Sequence, residues 1–291
     1  LHLGWLQPPS IPSPDARRGR LWDAKMKKTL RNMTPVHPAK PVAPYLGGKR
    51  VLAGRLVERF NAIEHSRYVE VFVGMGGPFF KRDLRPKMEV INDISKDITT
   101  LFRILQRHLP QFIETLKYQL AGRAEFERLK ASNPDTLTDL ERAARFLYLQ
   151  RMGFGGMARN MGIDFNRGAR FNLTKLEPML QDVHERLASV IIECMGYAEL
   201  ITKYDSRPGS LFYLDPPYWG CTDDYGKNIF SEADFKVLRD LLATIQGRFI
   251  LSINAVPEIR ELFSDFDIEE VDLNYRVSGK VTPAKELIIS N

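Results

Sequence analysis

The sequence predicts an α/β fold, a doubly wound mixed sheet that is interrupted by a mostly helical insertion. Short apolar runs of strand character alternate with segments whose apolar residues recur at helical spacing, on both sides of the insertion. One run, residues 68–73, ends in a glycine-rich turn, and another, residues 211–214, ends before two prolines. Between residues 110 and 190 helical patterns dominate. Ligands of open α/β sheets bind at the carboxyl ends of strands, so both strand ends are candidate site positions.

Composition predicts a globular protein of the cytoplasm. The 291 residues suggest one large domain or a core domain with an insertion, and 44% hydrophobic residues suffice for a sizeable core. No apolar run approaches the length that crosses a bilayer, so we expect no membrane partner. Cys194 and Cys221 do not suggest a disulfide framework, which indicates a reducing compartment. The five histidines lack metal-ligand spacing, and we expect no metal.

The net charge of +6 is unevenly distributed along the chain. Residues 1–50 hold ten Lys/Arg against two acids, giving +8, and the remaining residues hold 32 against 34, giving −2. The overall charge is therefore weak support for a nucleic-acid partner. A local basic window is more informative, because residues 142–175 carry a single acid, Asp164, and seven basic residues: Arg142, Arg145, Arg151, Arg159, Arg167, Arg170 and Lys175.

Residues 1–43 are predicted to form a disordered basic extension, since they are rich in proline, arginine and lysine and show no period. Two readings stay open, an arm that binds DNA phosphates and a dispensable tail, and the tail is favoured. The chain begins with leucine, and Met26 or Met33 could be the original start.

The first candidate ligand-binding turn follows at residues 44–49. Gly47 and Gly48 precede a predicted helix over residues 50–63, and backbone N–H groups at a helix N-terminus are exposed to a ligand. Lys49 adds a cation and Tyr45 a flat aromatic face. A Gly-Gly-Lys turn alone is weak support for a site.

The second candidate turn begins at Gly74, after the strand of residues 68–73. Its G-x-G-G spacing, with Gly76 as the second glycine, differs from the G-x-G-x-x-G of dinucleotide sites, which disfavours a nicotinamide dehydrogenase and still fits a nucleoside-type ligand. Asp93 ends a short strand 19 residues later, near the offset where such folds place an acid on ribose hydroxyls. Asp93 could also cap the helix predicted over residues 95–108, and both readings can hold.

The insertion is predicted to contain helices over residues 111–120, 124–130, 137–151 and 177–190. A glycine- and arginine-rich segment runs from Arg151 to Asn160 and continues to residue 172. Arginines near Phe154, Phe165 and Phe171 suit phosphate contacts and base readout. The alternative is a helical cap with a solvated basic face, and composition does not decide between the two.

The last part of the chain returns to strands and helices. Strands are predicted over residues 190–194, 211–214 and 248–253, and helices over 230–245 and 257–263. Two final strands, residues 267–275 and 286–290, are joined by a loop of residues 276–285 and form an antiparallel pair that closes the sheet.

The sequence after residue 214 predicts a stiff corner at the end of a buried strand. Pro216 and Pro217 cannot donate to a ladder, so the strand stops there. The corner offers the carboxylate of Asp215, the carbonyl of Pro216 and the ring of Tyr218. An ordinary strand-ending turn is the plain alternative, but two prolines with an aromatic after a buried strand are less common.

Together these segments resemble the Dam-type (D12 class) adenine-specific DNA methyltransferases. Two positions depart from the family pattern: Val71 stands where the family often has proline, and Gly196 where an acid commonly contacts the cofactor's adenine. The resemblance covers residues 44 to the end in the family's order, and its matching segments are Tyr45–Lys49, Tyr68–Gly77, Ile91–Asp93, Arg151–Asn160, Leu214–Tyr218, Phe249–Asn254 and Glu286–Asn291.

The resemblance implies the class I S-adenosylmethionine-dependent methyltransferase fold and its domain plan. Residues 44–109 and 191–291 would form the S-adenosylmethionine-binding catalytic domain, and residues 110–190 a helical target-recognition insertion. The implied partner is double-stranded DNA, with no obligatory protein partner. The implied location is the cytoplasm, for a protein that a bacterium or a phage encodes. The resemblance leaves open whether the enzyme belongs to a restriction-modification system, serves the host or is carried by a phage.

The resemblance also implies roles for individual residues. Tyr45 and Lys49 would flank the methionine end of S-adenosylmethionine, Asp93 would hold its ribose hydroxyls, and Asp215 would lie where cofactor and target base meet. Gly74 and Gly76 would shape the floor of the cofactor site. The DNA-binding residues would be Arg151, Arg159, Asn160 and Arg170.

The chemistry of adenine methylation suits the Asp-Pro-Pro-Tyr corner. The exocyclic amine is a poor nucleophile, and two acceptors, an oxygen of Asp215 and the carbonyl of Pro216, could localise its lone pair. Tyr218 could stack on the base once it has left the duplex. Methylation of RNA adenine or of a protein glutamine is an alternative, and so is an inactive DNA-binding homologue, although the intact Asp215, Pro216 and Tyr218 argue against inactivity.

Overall fold

The computed structural model describes residues 33–163, 169–221, 230–277 and 280–291. Its strands are β1 (Thr34–Pro35), β2 (Arg67–Glu70), β3 (Leu84–Arg85), β4 (Met88–Asn92), β5 (Ile191–Glu193), β6 (Ser210–Leu214), β7 (Arg248–Asn254), β8 (Asp267–Val277) and β9 (Lys280–Ser290). Its α-helices are α1 (Ala53–Ala62), α2 (Gly77–Lys81), α3 (Lys96–Arg107), α4 (Leu109–Leu116), α5 (Arg123–Ala131), α6 (Asp139–Met152), α7 (Leu173–Arg186), α8 (Tyr197–Tyr204), α9 (Glu232–Leu242) and α10 (Pro257–Leu262).

A mixed sheet of seven strands organises the described chain, in the order β5-β4-β2-β6-β7-β9-β8. Strands β5, β4, β2, β6 and β7 are parallel, and β9 runs antiparallel to both β7 and β8. This arrangement confirms the predicted doubly wound α/β fold and the closing antiparallel pair.

The strand order reverses between β2 and β6, and this reversal predicts the position of a ligand-binding crevice. The chain builds outward from β2 through β4 to β5, and then returns to the other side of β2 with β6 and β7. Glu70 lies opposite Tyr213 in the β2–β6 register, so the segments that leave these two strands emerge side by side. Such a switch point at the carboxyl ends of the strands is where open α/β sheets bind ligands.

Both faces of the sheet are covered, which explains the continuous apolar strands. One buried cluster includes Leu56 and Phe60 of α1 with Phe102 of α3. The other includes Phe235 and Leu238 of α9, on the opposite face. Every residue of β6 is buried, as expected for a central parallel strand that is covered on both sides.

The helical insertion shares its core with the elements that precede it in the chain. Leu147 of α6 and Leu176 of α7 belong to the same buried cluster as Leu101 of α3. A buried ionic group also joins them, because Arg186 of α7 donates to Glu89 of β4 at 2.7 and 2.8 Å. The insertion therefore rests on the sheet through packed side chains, while its assignment as a target-recognition unit stays a prediction.

Several elements differ from the sequence expectation. Residues 33–43 were expected to belong to the basic extension, but Thr34 and Pro35 pair with β3, and Met33, Val42 and Ala43 are buried. Residues 1–32 lie outside the described chain. The expected loop over 276–285 is instead part of the β8–β9 pair, whose register continues to Val277 and Lys280. Backbone pairing across a hairpin does not require apolar side chains, so the basic composition of this segment concealed it.

Two short helices were also not predicted. Helix α2 directly follows the glycine turn, with Pro78 in its first turn. Helix α8 has only Leu200 and Ile201 buried, so its eight residues carry too weak an apolar period to be recognised.

Candidate active site

A cleft of about 1090 Å³ opens at the carboxyl ends of the central strands. This volume is at the upper end of the usual range for small-molecule and cofactor sites. The cleft brings together Tyr45, Lys49, Gly74, Asp93 and Asp215, five residues that the sequence predicted for one site. Gly74, Asp93 and Asp215 lie on the segments that leave β2, β4 and β6, and Tyr45 and Lys49 lie before α1, which explains why the five meet.

The two predicted glycines have different surroundings. Gly74 adopts a left-handed φ of +49°, and a Cβ there would lie 3.0 Å from Cδ1 of Tyr45. Gly74 therefore lets the ring of Tyr45 approach the backbone at the cleft. Gly76 has a φ of +70°, and its Cβ would lie 2.7 Å from the ring of Phe80, so its local requirement is the packing of α2.

Asp93 connects the glycine turn to the helix that follows it. Its Oδ2 accepts a hydrogen bond from the N–H of Gly74 at 3.0 Å, and its Oδ1 accepts one from Ser95 at 2.9 Å. Burial raises the pKa of Asp93, and the backbone N–H groups that bind the carboxylate lower it. The result of these opposing effects is a pKa of about 6. The carboxylate thus lies at the cleft and accepts hydrogen bonds from backbone N–H groups before α3, while its role on ribose hydroxyls stays a prediction.

A buried polar cluster surrounds Asp215, which follows β6. Nζ of Lys49 lies 2.5 Å from Oδ1 of Asp215 and donates to the Tyr218 hydroxyl at 3.1 Å. The Tyr218 hydroxyl donates to Oε1 of Glu286 on β9, and Nζ of Lys49 lies 4.0 Å from that oxygen. Lys49 and Glu286 are each 1% exposed, so this cation and this carboxylate are almost completely removed from water.

Burial raises the pKa of Asp215 to about 6, since desolvation disfavours the charged carboxylate. Lys49 lowers this pKa through its charge and hydrogen bond, whereas the charge of Glu286 raises it. Above about pH 6 Asp215 is a carboxylate, which accepts hydrogen bonds and donates none.

The corner after β6 is held by Asn254 at the end of β7. Oδ1 of Asn254 accepts from the N–H of Trp219 at 3.0 Å, and its Nδ2 donates to the Trp219 carbonyl at 3.1 Å. Pro216 is buried, and the ring of Tyr218 is partly buried. These two residues do not line the main cleft themselves, although the Pro217 between them does.

Sequence reasoning missed two carboxylates near the site. Glu70 ends β2 and lines the cleft, and its Oε2 accepts from the Tyr68 hydroxyl at 2.7 Å. Burial raises the pKa of Glu70 to about 8. A glutamate within the apolar run of residues 68–73, which leads into the glycine turn, was the available signal. Glu286, the second carboxylate, lies in a matching segment, but no side-chain role was assigned to it.

The predicted DNA-binding residues fall into two groups. Arg151 donates to the Val42 carbonyl at 2.6 Å and to the Arg170 carbonyl at 3.4 Å, and Arg170 donates to the Gly153 carbonyl at 3.2 Å. These two arginines hold the loop of the insertion together. Arg159 and Asn160 are exposed at its surface.

Parts of the loop lie outside the described residues, among them Phe165 and Arg167. Its described part lies against the segment that carries Tyr45. Gly156 has a φ of +78°, and a Cβ there would lie 2.9 Å from the backbone N of Tyr45. A close backbone approach therefore joins the insertion loop to the segment that carries Tyr45.

The described residues contain neither a metal-binding cluster nor a helix that could span a membrane. In residues 33–163, 169–221, 230–277 and 280–291, no group of three or more His, Cys, Asp and Glu side chains could hold a metal ion. Within the same ranges, every helix is too short or too polar to cross a bilayer.

Comparisons with known proteins agree with this geometry. The profile of the D12 class N6 adenine-specific DNA methyltransferases matches residues 45–277. The type II methyltransferase M1.LlaDCHI of Lactococcus lactis subsp. cremoris is 28% identical over 87% of this chain and 95% of its own length. The DNA adenine methylase of Haemophilus influenzae is 26% identical over 90% of this chain and 97% of its own.

A solved structure from Pyrococcus horikoshii, of a candidate RNA methyltransferase, covers 94% of this chain and 97% of its own with a TM-score of 0.40 and 9% identity. Similarity at this level says nothing about substrate. The profile match is decisive, because it spans the glycine turn, Asp93, the insertion and the Asp-Pro-Pro-Tyr corner. The chain belongs to the family of D12 class N6 adenine-specific DNA methyltransferases, and its activity is the S-adenosylmethionine-dependent methylation of adenine N6 in DNA.

Proposed function

We propose that this chain methylates adenine within one recognised duplex sequence, after the target base has left the helix. The observation that carries the proposal is the cluster at the end of β6, where Asp215 lies 2.5 Å from Lys49 at the edge of the main cleft. A carboxylate at this edge can meet both a cofactor in the cleft and a base that enters from outside.

The cleft fits S-adenosylmethionine, which would supply a sulfonium methyl group there. Because Gly74 has no Cβ, the ring of Tyr45 lies directly over the glycine turn at the edge of the cleft. Asp93 presents a carboxylate to the cleft, as ribose hydroxyls require. We assign Tyr45 and Lys49 to the methionine end, Gly74 and Gly76 to the shape of the floor and Asp93 to the ribose.

Asp215 and Pro216 are proposed to act on the target amine. Two acceptors that take its two N–H groups would favour a tetrahedral nitrogen with a localised lone pair. That lone pair would be aimed at the sulfonium methyl group, whose bond to sulfur would break as the new N–C bond forms, and the methylated amine would then release a proton. Lys49 lies next to Oδ1 of Asp215, and the Ser252 hydroxyl also bonds this carboxylate, so both groups orient the acceptor before the amine arrives. Preorganised acceptors of this kind lower the barrier without a covalent enzyme intermediate.

Tyr218 is proposed to stack on the extruded base. Extrusion costs a few kcal/mol of unstacking and unpairing, and contact with an aromatic ring restores part of it. The phenol is held by Lys49 and Glu286, so the ring has a defined orientation before any base arrives.

The insertion, residues 110–190, is proposed to recognise the duplex. Arg159 and Asn160 are exposed and can reach phosphates or base edges, whereas Arg151 and Arg170 would act by holding the loop. The family relatives come from bacteria, a phage and a chlorella virus, which supports action on DNA in a bacterial or virus-infected cell. No protein partner is needed for this chemistry.

Transfer of tritium from methyl-labelled S-adenosylmethionine to unmethylated phage lambda DNA tests the proposal. Digestion to nucleosides should place the label in N6-methyl-2′-deoxyadenosine, and Asp215→Ala should abolish it. Asp272→Ala, an exposed acid on β8, is the matched control and should keep activity. Label that enters a folded RNA or a protein but no DNA would reject the proposal, and label in single-stranded DNA only would reject duplex recognition.

A further inference from the structure

We propose that Glu286 is a positioning residue for methyl transfer, which fixes the phenol of Tyr218 and shares Lys49 with Asp215. The inference deepens the proposed function and rests on it, because it takes the roles of Asp215 and Tyr218 from there. Glu286 does not line the main cleft, so it would act through its neighbours.

The contacts of the Tyr218 hydroxyl are the first observation. This hydroxyl accepts a hydrogen bond from Lys49 at 3.1 Å and donates its single proton to Oε1 of Glu286. A phenol has only one proton to donate, so a carboxylate acceptor on one side and an ammonium donor on the other define its direction. The ring of Tyr218, with Nζ of Lys49 4.5 Å from its centroid, is held at its far end.

The strand register explains why Glu286 is in this place. Glu286 pairs with Asn254 across the antiparallel β7–β9 ladder, so the two side chains project from adjacent positions. Asn254 makes both backbone hydrogen bonds of Trp219, while Glu286 binds the hydroxyl of Tyr218. One register pair thus holds two successive residues of the catalytic corner.

The corner needs such support because Pro216 and Pro217 have no N–H to donate. A chain segment without ladder hydrogen bonds keeps its geometry only through side chains that contact it. The antiparallel end of the sheet supplies these contacts, which gives β9 a task beyond closing the sheet.

Glu286 could instead have a purely structural role, the neutralisation of buried Lys49. That role explains the observed contacts less well than a positioning role does. A buried cation needs an opposite charge, and Asp215 already supplies one at 2.5 Å. Glu286 lies farther from Nζ, at 4.0 Å, and its direct partner is Tyr218. The two roles make different predictions for Glu286→Gln, because this substitution keeps an acceptor oxygen and removes the charge.

Glu286 also acts on Asp215 through its charge. The groups that face Asp215 are Lys49 before α1, Glu286 on β9, Glu70 at the end of β2, and Tyr213 and Ser252 on β6 and β7. Among them, Lys49 and the Ser252 hydroxyl lower the pKa of Asp215, and Glu286 raises it. Removal of the Glu286 charge should therefore lower the pKa of Asp215 and move the acid limb of the rate profile to lower pH.

The experiment measures single-turnover methylation of unmethylated phage lambda DNA from about pH 5 to pH 8, at saturating tritiated S-adenosylmethionine. Glu286→Ala should slow the rate by about tenfold to a hundredfold, the effect of losing a hydrogen bond to a charged group. Its affinity for S-adenosylmethionine should stay within about twofold of the wild-type value. Glu286→Gln should keep most of the methylation rate at neutral pH. It should shift the low-pH limb of the pH–rate profile to lower pH.

A double-mutant cycle tests the route through the phenol. Tyr218→Phe removes the hydroxyl, so Glu286→Ala in that background should cost much less than in the wild type. Glu270→Gln changes an exposed carboxylate on neighbouring β8. It is the control and should leave the rate and its pH profile unchanged.

Three outcomes would overturn the inference: a Glu286→Ala rate equal to wild type, independent costs of the two substitutions, or an affinity loss that accounts for the whole rate loss. If Glu286→Ala does not fold, the near-isosteric Glu286→Gln decides, and an unshifted acid limb would then overturn the inference. A wild-type protein that labels no DNA would overturn the proposed function as well, whereas an active wild type with an indifferent Glu286 would overturn this inference alone.

Discussion

Nζ of Lys49 lies 2.5 Å from Oδ1 of Asp215, although their positions are 166 residues apart in the chain. Lys49 is 1% exposed, and the side chain of Asp215 is 17% exposed. A buried ammonium beside the carboxylate offsets part of the cost of desolvation, so the acid stays ionised at neutral pH. The lysine of the first turn therefore controls the charge of the acid in the corner.

Lys49→Met should lower methylation at neutral pH by about tenfold to a hundredfold, because it removes the cation that lowers the pKa of Asp215. Without Lys49 this pKa rises further above its ordinary value, so the acid limb should move to higher pH, opposite to the shift for Glu286→Gln. The measurement is the pH dependence of the single-turnover rate. Lys87→Met, an exposed lysine, is the control, and an unmoved acid limb would contradict the assignment.

Gly74→Ala should weaken S-adenosylmethionine binding by about tenfold. Its left-handed φ costs a residue with a Cβ about 1–2 kcal/mol, and the added carbon would lie 3.0 Å from the ring of Tyr45. Isothermal titration calorimetry measures the affinity. Gly54→Ala, in α1 with no atom within 4 Å of the added Cβ, should bind normally. Equal affinity for both variants would show that the turn tolerates a side chain.

Tyr218→Ala should reduce catalysis much more than cofactor affinity, because the ring is proposed to stack on the extruded base. A stacking contact is worth about 1–3 kcal/mol, so the single-turnover rate should fall by about tenfold to a hundredfold. Equilibrium binding of S-adenosylmethionine, measured in parallel, should change by less than about threefold. A cofactor affinity that collapses with the rate would mean that Tyr218 belongs to the cofactor site instead.

Arg159→Ala should weaken DNA binding and reduce its dependence on salt. Arg159 is exposed on the insertion loop, so a phosphate contact there would contribute about one unit to the slope of log affinity against log salt. Fluorescence anisotropy with a labelled duplex, titrated at several salt concentrations, measures the slope. Arg128→Ala, an exposed arginine paired with Glu125 on α5, should keep the wild-type slope. If both variants lose the same slope, the loop has no special role.

Glu70→Gln should stabilise the protein without cofactor at alkaline pH relative to wild type. Burial raises the pKa of Glu70 to about 8 from 4.5, so the folded state binds a proton that the unfolded state releases. That contribution is complete below about pH 4.5 and is lost as pH rises through about 8. Glutamine stays uncharged, so its advantage in unfolding free energy should grow by at least about 1 kcal/mol over this range.

Guanidinium unfolding at about pH 5 and about pH 9 compares Glu70→Gln with the wild type. Glu258→Gln, an exposed glutamate on α10, controls for the loss of a carboxylate and should show no such trend. A stability difference between Glu70→Gln and wild type that is the same at both pH values would contradict the raised pKa.

The sequence identified the elements that lie at the cofactor cleft. The glycine turn at Gly74, the carboxylate of Asp93 and the stop imposed by Pro216 and Pro217 are local consequences of residue type and spacing. Their meeting follows from the rule that parallel strands present their carboxyl ends at one edge. The α/β class and the closing antiparallel pair were also predictable, because both depend on apolar patterns within single elements.

Contacts between distant positions were decided by the tertiary structure alone. No periodicity links Glu286 to Tyr218, and the register of β9 on β7 brings them together. Burial then shifts the pKa values of Asp215 and Glu70, because desolvation depends on every atom that covers the group. Nothing in the sequence distinguishes Arg151 and Arg170 from Arg159. In the folded chain Arg151 and Arg170 donate to backbone carbonyls, whereas Arg159 is exposed. Residue type and spacing determined which chemical groups this protein has, while long-range packing decided which of them face one another and with what charge.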